Sequence, residues 1–272
     1  MTPYKVVAPN GERVAVILSV PHCGTQFPAD IRDEYKSDLI SRPDDTDWFV
    51  DNLYDFATEM GIAMISSVYH RWVIDLNRAP DDKPLYNDGR VLTGLCPFTD
   101  FLGNRIYADE RLEVAADEVT RRLALYHQPY HAKLKELISE MKEDFGKVLL
   151  WECHSIRQYV PTIYPEKFPD LVLGDSDGAS ASPGIVKLAY DSLSASKYSV
   201  SHNFPFKGGF ITREYGRPLH NEHAVQLEMS KINYMDDKEI SYDHDRANAM
   251  RELLKTTLSG IIDPLFQSAS RQ

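Results

Sequence analysis

Two short apolar runs in this chain each lead directly to a histidine. The run Ala15–Val20 ends two residues before His22, and the run Val148–Trp151 ends three residues before His154. Continuous apolar runs of this length are typical of strands buried on both faces of a mostly parallel sheet. Because ligands bind beyond the carboxyl ends of such strands, the pattern predicts that the two histidines share one site. The alternative is two unrelated polar residues at strand ends.

Composition limits the class of protein. The chain has 272 residues, of which 43% are hydrophobic, and no segment approaches the ~20 apolar residues that a membrane helix needs. Three cysteines, and no secretory signal at Met1–Lys5, predict a reducing, cytoplasmic setting. The net charge of -11 disfavours nucleic acid as a partner. We therefore expect a small-molecule partner, with no nucleic acid and no membrane; the oligomeric state is not predicted.

Strand and helix signals alternate along the chain and predict a single α/β domain over residues 1–272. Tyr4–Val7 and Arg13–Val20 flank Asn10-Gly11, which is a hairpin-turn signal. Helical spacing from Phe49 to Met60 ends at Gly61. The other predicted elements are strands at Ile62–Val68, Trp72–Leu76 and His223–Met229, a helical region from Leu112 to Met141 that Pro129 breaks or kinks, loops at Arg78–Gly103 and Gly174–Pro183, and a helix at Asp245–Ile262.

His22 and His154 are candidate metal ligands. A catalytic zinc site typically has three protein ligands and one open position, and His and carboxylate are common ligands. Asp45 or Asp47 can supply the third ligand, because both lie at the start of the helix that follows the His22 strand. Both also suit a helix N-terminus, where Asp is favoured as a cap and by the helix dipole. The spacing does not separate the two aspartates.

Two cysteines adjoin the candidate ligands, which raises the alternative of a thiolate ligand or nucleophile. Cys153 should point to the opposite face of its strand from His154, because side chains alternate along a strand. We therefore expect Cys23 and Cys153 to pack as small buried residues behind the site.

A rival metal pair is His127 and His131, which are four residues apart. Pro129 lies between them, and Gln128 stands where the zinc-protease pattern requires Glu. Capping or packing is the better prediction for this pair.

Glu228 lies inside an otherwise apolar strand. Val225, Leu227 and Met229 share one face, which leaves Gln226 and Glu228 on the other. A carboxylate in such a strand is costly to bury unless it is partnered or functional. A general base that activates water and a salt-bridged structural residue are both compatible with this position.

Arginines near strand ends indicate a substrate that carries carboxylates, since Arg binds carboxylates in a bidentate way. Arg71 and Arg78 flank one predicted strand, and Arg213 and Arg217 lie close together farther along the chain. Isolated surface arginines are the alternative. The pair Asn77-Arg78 is the strongest candidate for a substrate contact.

These motifs together resemble the N-formylglutamate amidohydrolase (N-formylglutamate deformylase) family. The resemblance runs in order from about residue 15 to 236 and rests on Ser19-Val-Pro-His-Cys-Gly24, Asp45-Thr-Asp-Trp48, Val73-Ile-Asp-Leu-Asn-Arg78, Thr93-Gly-Leu-Cys-Pro97, Tyr130-His131, Cys153-His-Ser-Ile156, Lys207-Gly-Gly-Phe-Ile-Thr-Arg213, Tyr215-Gly-Arg-Pro218 and Gln226-Leu-Glu228. That family is related to the zinc carboxypeptidases and aspartoacylases. The resemblance implies a three-layer α/β/α fold with a mixed, mostly parallel sheet, which is phosphorylase/hydrolase-like.

The resemblance also implies roles for particular residues. His22 and His154 would bind zinc, Glu228 would be the catalytic glutamate, and Asn77 with Arg78 would hold a substrate carboxylate. Carboxypeptidases have a ligand Glu three residues after the first His, whereas this chain has Thr25 there. The third ligand must therefore come from elsewhere, and Asp45 or Asp47 is the expected substitute.

The function implied is zinc-dependent hydrolysis of N-formyl-L-glutamate to formate and L-glutamate, a step of histidine degradation. Arg213 and Arg217 are expected to bind the second carboxylate, and Tyr215 to hydrogen-bond the tetrahedral intermediate. The alternatives are a related zinc amidase for another N-acyl acidic amino acid and a non-catalytic binder of acidic metabolites. Iron, cobalt or manganese would also suit a His/Asp site. Whether the 174–183 loop closes over the substrate is left open.

Overall fold

The described part of the chain forms a seven-stranded sheet with helices on both faces. The computed structural model describes residues 2–85, 93–109 and 112–267, with side chains up to residue 263. The strands are β1 (Tyr4–Val7), β2 (Val16–Val20), β3 (Ala63–Ser67), β4 (Val148–Ile156), β5 (Leu171–Gly174), β6 (Val200–His202) and β7 (Glu222–Ser230), in the spatial order β1-β3-β2-β4-β7-β5-β6.

The sheet is mixed and mostly parallel, as predicted. β2 pairs in parallel with β3 and β4, β4 with β7, and β5 with β6. Only the β1–β3 and β5–β7 pairs of the described sheet are antiparallel. Every residue of β2 and β4 is buried, which is why these two strands read as continuous apolar runs.

Helices cover both faces of the sheet and complete three layers. They are α1 (Ser37–Ile40), α2 (Val50–Leu53), α3 (Ala116–Arg122), α4 (Gln128–Phe145), α5 (Pro183–Ser194), α6 (Phe210–Tyr215) and α7 (His244–Gln267). On one face, Leu18 and Trp151 pack in a core with residues of α2, α5 and α7. On the other face, Ile17 and Leu150 pack with residues of α4. Among the described residues, no helix is long and apolar enough to cross a membrane.

The hairpin predicted around Asn10-Gly11 is wrong. β1 pairs with β3, which lies between β1 and β2. The connecting segment is held elsewhere, because the Asn10 N–H donates to the Thr58 carbonyl and the Val14 N–H to the Gly61 carbonyl. Three-dimensional pairing with a distant strand therefore overrides the local turn signal.

Three further elements differ from prediction. Residues 72–76 form turns and irregular backbone rather than a strand. The helix predicted from Phe49 to Met60 is only α2 followed by a 3-10 helix at Asp55–Met60, although Gly61 does end it, with φ at 78°. Pro129 does not break the long helical region. It lies in the first turn of α4, and a π-helical turn at Leu123–His127 joins α3 to α4.

The structure confirms the predictions for β3, β7, α7 and the loop before α5. β3 and β7 lie where strands were predicted, and α7 contains the predicted C-terminal helix. The predicted 174–183 loop is the segment 175–182 between β5 and α5, and Pro183 begins α5. Within that loop, the buried Asp175 carboxylate accepts hydrogen bonds from the Gly178 N–H and the Asn203 side chain. Residues 86–92 of the predicted 78–103 loop lie outside the described residues.

Candidate metal centre and substrate cavity

Three neighbouring parallel strands bring the predicted site residues to one edge of the sheet. His22 follows the end of β2, His154 lies near the end of β4, and Glu228 lies directly beside His154 on β7. The loop that carries Asp47 reaches the same edge, where the Asp47 N–H donates to the His22 carbonyl over 3.0 Å. The apolar runs therefore do deliver both histidines to a shared site.

His22, Asp47 and His154 form a buried group that could hold a metal ion. One ligand atom from each residue lies within 4.8 Å of the other two. The Asp47 Oδ2 atom is 3.0 Å from His154 Nδ1 and 3.9 Å from His22 Nδ1. Two imidazoles and a carboxylate match the ligand types of catalytic zinc sites.

The orientation of His22 leaves one nitrogen aimed at this group. Its Nε2 atom lies 2.8 Å from the Asp75 Oδ1 atom, and a carboxylate oxygen accepts, so Nε2 carries the hydrogen. Its Nδ1 atom is buried and has no hydrogen-bond partner among the described residues. A buried lone pair facing a carboxylate and a second histidine fits a metal ligand, and the His22–Asp75 contact is the kind of outer hydrogen bond that orients ligating histidines.

His154 is oriented in the same way. Its Nε2 atom lies 2.7 Å from the Glu152 Oε1 atom, which directs Nδ1 towards Asp47. The Thr212 hydroxyl donates to the other Glu152 oxygen, so this carboxylate is satisfied although it is fully buried. Both histidines are thus placed to offer Nδ1, each backed by a carboxylate on Nε2.

Asp45 does not join this group. The Trp72 indole N–H donates to its Oδ2 atom over 2.7 Å, and the Phe101 N–H donates to the same carboxylate. Burial raises the pKa of Asp45 to about 6 despite these bonds. Of the two predicted aspartates, Asp47 therefore lies in the group that could hold a metal ion, whereas Asp45 ties the 72 and 101 loops together.

Electrostatic partners stabilise the charges of the site. Burial would raise the pKa of Asp75, but Arg71, His22 and Arg78 hold it well below its usual range. Burial and the Arg71 charge lower the pKa of His22 to about 4, so its imidazole is neutral near neutral pH. Burial would lower the pKa of His154, but the Glu152 and Asp47 carboxylates raise it well above its usual value in the metal-free protein.

A cavity opens next to His22, Asp47 and His154, which we call the metal group, and two arginines contribute to its wall. The described lining residues are His22, Asp47, Arg71, Asn77, Arg78, Leu85, Thr93, Phe101, His154, Ser155, Ile156, Ile163, Phe206, Gly209, Gln226 and Glu228. Arg71 donates to Asp75 over 2.6 Å and lies over the Phe101 ring at 4.6 Å from its centroid. The Arg78 Nε atom donates to the Thr93 carbonyl over 2.9 Å. Cations on the wall suit an anionic ligand.

Asn77 links the cavity to the start of α6. Its Oδ1 atom accepts the Ile211 N–H over 2.8 Å, and its Nδ2 atom lies 3.1 Å from His154 Nε2. A Cβ atom at Gly209 would approach the Asn77 side chain to 2.2 Å, so only glycine fits there. The Gly209 N–H in turn donates to the Gln226 side chain.

Glu228 faces the cavity, as the alternation along its strand predicts. Val225, Leu227 and Met229 are buried in the apolar core on the opposite face of β7. Burial and the nearby Asp47 carboxylate raise the pKa of Glu228, while the His154 charge opposes this. Its carboxylate has a distant contact with Gln226, at 3.4 Å, and no salt bridge to a described Lys or Arg side chain is formed.

Three predicted substrate contacts are not among the described residues that line this cavity. Arg217 is exposed and pairs with Glu222 at 2.6 Å. Arg213 is exposed, with its Nε atom donating to the Gly208 carbonyl. Tyr215 is buried against His131. The reason is that the N-terminal end of α6 faces the cavity, whereas these residues lie on its later turn or beyond it.

Neither cysteine joins the group that could hold a metal ion. Cys153 is buried in the apolar core as predicted, whereas Cys23 is only partly buried against that core and its thiol donates to the Val20 carbonyl. His127 and His131 do not join the metal group, because their Nε2 atoms contact the carbonyl oxygens of Arg78 and Leu76.

Sequence reasoning missed three residues that orient the site. Asp75 and Glu152 hold the two histidines, and Thr212 holds Glu152. Glu152 carries a usable signal: it lies two residues before His154 and so shares its face of β4. Asp75 and Thr212 lie outside strands and carry no such periodic signal.

Known proteins resemble this chain along nearly its whole length. A profile of the N-formylglutamate amidohydrolase family matches residues 14–235. The chain is 39% identical over 260 residues to N-formylglutamate deformylase of Pseudomonas putida, covering 95% of this chain and 96% of the relative. It is 40% identical over 252 residues to the protein of the same name from Pseudomonas aeruginosa, covering 92% and 93%. The crystal structure of N-formylglutamate amidohydrolase from Ralstonia eutropha JMP134 is similar with a TM-score of 0.82 and 29% identity, covering 98% of this chain and 100% of the other.

Proposed function

Because this chain belongs to the N-formylglutamate amidohydrolase family, we propose that it hydrolyses N-formyl-L-glutamate to formate and L-glutamate at a metal ion held by His22, Asp47 and His154. The observation that carries the metal site is the buried His22 Nδ1 atom, which faces Asp47 and has no hydrogen-bond partner among the described residues. The ligand types favour zinc. A zinc ion here would polarise the formyl carbonyl and make a water molecule more acidic.

Glu228 is proposed as the general base and acid. It faces the cavity beside the metal group, and burial raises its pKa towards the range in which proton transfer is efficient at neutral pH. It would accept a proton from the attacking water and deliver it to the amine nitrogen of the departing glutamate. Its side-chain contact is a hydrogen bond from Gln226 at 3.4 Å, and no described Lys or Arg forms a salt bridge with it, which supports this role over a structural one.

Arg71, Arg78 and Asn77 are proposed to hold the substrate. N-formylglutamate carries two carboxylates, and Arg71 and Arg78 both line the cavity. Arg78 with Asn77 is the pair expected from the resemblance. Arg71, rather than Arg213 and Arg217, lines the cavity and is proposed to bind the second carboxylate. Arg71 is 7% exposed and fixed by Asp75, so its guanidinium is already oriented before substrate binds.

The setting proposed for this reaction is the cytoplasm. All three cysteines are free thiols in the structure, which suits a reducing compartment.

The proposed function is tested by formate release together with metal analysis. We expect the purified protein to contain about one zinc ion per chain. It should release formate from N-formyl-L-glutamate, lose activity after chelation and regain it with zinc. N-acetyl- and N-succinyl-glutamate should be poor substrates. Faster turnover of either acyl compound would assign a different substrate, and full activity without any divalent metal would contradict the proposal.

The role of Glu228 has its own test. Glu228→Gln removes the base but keeps the shape of the side chain. We expect kcat to fall by about 10²- to 10⁴-fold, the usual contribution of general acid–base catalysis, with zinc content unchanged. A near-wild-type kcat in a zinc-loaded variant would remove Glu228 from this role.

A further inference from the structure

His127 and His131 form a second buried pair of histidines, close to the cavity but outside the metal group. They are 2% and 6% exposed, and their rings stack with centroids 4.1 Å apart. The His127 Nε2 atom lies 3.0 Å from the Arg78 carbonyl oxygen, and the His131 Nε2 atom lies 2.9 Å from the Leu76 carbonyl oxygen. The two rings therefore contact the backbone on either side of Asn77.

The contacts define the protonation of both rings. A carbonyl oxygen only accepts, so each Nε2 atom carries a hydrogen. Burial lowers the pKa of His127, and burial with the neighbouring His127 lowers the pKa of His131 to about 3. Both imidazoles are thus neutral near neutral pH. The bare Nδ1 atom of His131 accepts a hydrogen bond from the Tyr215 hydroxyl at 2.8 Å.

The local helix geometry places this pair. A π-helical turn covers Leu123–His127 and ends where α4 begins. Pro129 lies in the first turn of α4 and has no backbone N–H. The wider π-helical turn before it therefore leaves no Pro129 donor without a partner. His127 and His131, four residues apart, then lie on one face of the helix and point to the same segment.

The start of α6 also forms hydrogen bonds with residues 76–78. The Phe210 N–H at the start of α6 lies 3.4 Å from the Asn77 carbonyl oxygen, and the Ile211 N–H donates to the Asn77 side chain. Residues 76–78 are therefore held at three successive carbonyl groups, two of them by imidazoles. Asn77 and Arg78 line the cavity from this segment.

We propose that His127 and His131 are positioning residues, which hold residues 76–78 by two N–H···O=C bonds so that Asn77 and Arg78 meet a substrate carboxylate. This inference rests on the proposed function. It assigns the two histidines to substrate binding rather than to chemistry. Their loss should weaken binding while the metal group, which they do not contact, stays intact.

The test compares His127→Leu with His127→Gln. Leu removes the donor, whereas the Gln amide N–H can still reach the Arg78 carbonyl. Loss of a hydrogen bond predicts a KM for N-formyl-L-glutamate that rises by about three- to tenfold in the Leu variant. We expect kcat to stay within about twofold, because the groups assigned to the chemistry are untouched. Zinc content should be unchanged, and the Gln variant should recover most of the wild-type KM.

A matched control is His223→Leu. His223 is also buried, and it lies at the opposite end of β7 from Glu228, where its Nδ1 atom accepts the Ser182 N–H. This variant should leave KM unchanged. If His127→Leu does not fold, His127→Asn takes its place, since Asn is polar but too short to reach the carbonyl.

A second readout separates this inference from the proposed function. Amide hydrogen exchange at residues 76–78 should become faster in His127→Leu than in the wild type, with or without activity. An unchanged KM and unchanged exchange would overturn the inference, as would a fall in kcat and zinc content at constant KM. If the wild type releases no formate, the proposed function fails, and the exchange result still decides whether the two histidines hold this segment.

Discussion

Two pairs of buried histidines lie in this protein, and they differ in what their Nε2 atoms contact. In the pair His22 and His154, each Nε2 atom contacts a carboxylate, from Asp75 and Glu152 respectively. In the pair His127 and His131, each Nε2 atom contacts a neutral backbone carbonyl. Both pairs have close, stacked or tilted rings, at 4.9 Å and 4.1 Å between centroids.

The acceptor that contacts Nε2 indicates the role of each imidazole. A carboxylate behind Nε2 adds negative charge, which makes the opposite nitrogen a better ligand and offsets the charge of a metal ion. A carbonyl behind Nε2 adds no net charge, so the ring serves as a neutral donor. The two pairs also differ in their carboxylate neighbours. Asp47 lies beside the first pair, whereas no described Asp or Glu forms a possible ligand group with the second pair.

The largest effect is expected from removing the carboxylate behind His154. Glu152→Gln keeps an oxygen that accepts from His154 Nε2 but removes the charge. We expect the affinity for zinc to fall by about 10- to 100-fold, as is typical for outer-shell partners of metal ligands. The measurement is a zinc titration against a chelator of known affinity.

Asp45→Asn is the matched control for this titration. Asp45 is a buried carboxylate two residues before Asp47, but its contacts are Trp72 and Phe101 rather than a histidine. Its variant should keep the wild-type zinc affinity within about twofold. Equal losses in the two variants would mean that the carboxylate–histidine contact is not what distinguishes the first pair.

A smaller effect is expected in the pH dependence of stability. The pKa of His131 is lowered to about 3 in the folded protein, against about 6.5 in an unfolded chain. Between these values the unfolded chain binds a proton that the folded chain does not, so stability is lost as the pH falls through this window. The contribution is about 1.4 kcal/mol per pH unit.

His131→Gln should therefore flatten this dependence. Urea unfolding of the metal-free protein at several pH values between about 4 and about 6.5 measures the slope of the unfolding free energy against pH. In the variant this slope should be smaller by about 1.4 kcal/mol per pH unit, which corresponds to one proton. An unchanged slope would show that burial does not hold His131 neutral in the folded protein.

The positions of His22, His154 and Glu228 could be predicted because buried strands leave a clear apolar pattern, and strand ends share an edge of the sheet. The choice between Asp45 and Asp47 could not, since both are suitable helix-start residues and only the fold decides which one faces the histidines. The strand order could not be predicted either. The Asn10-Gly11 turn signal is local, whereas the pairing of β1 with β3 joins residues about sixty positions apart.

The arginines show the same limit. The sequence singles out Arg78, which follows Asn77 at the end of a predicted strand, but it does not rank Arg71 against Arg213 and Arg217. In the structure Arg71 and Arg78 line the cavity, and Arg217 pairs with Glu222 at the surface. Loop residues reach a site through tertiary contacts such as Arg71 to Asp75, which no local pattern records.

The metal content of two double variants decides whether His22 and His154 hold the metal ion. His22→Ala with His154→Ala removes the two histidines proposed to bind the metal, and His127→Ala with His131→Ala removes the second pair. After zinc loading and gel filtration, mass spectrometry should find almost no zinc in the first variant and about one ion per chain in the second. Circular dichroism confirms that both are folded. Stoichiometric zinc in the folded His22→Ala, His154→Ala variant would contradict the assignment of the metal centre.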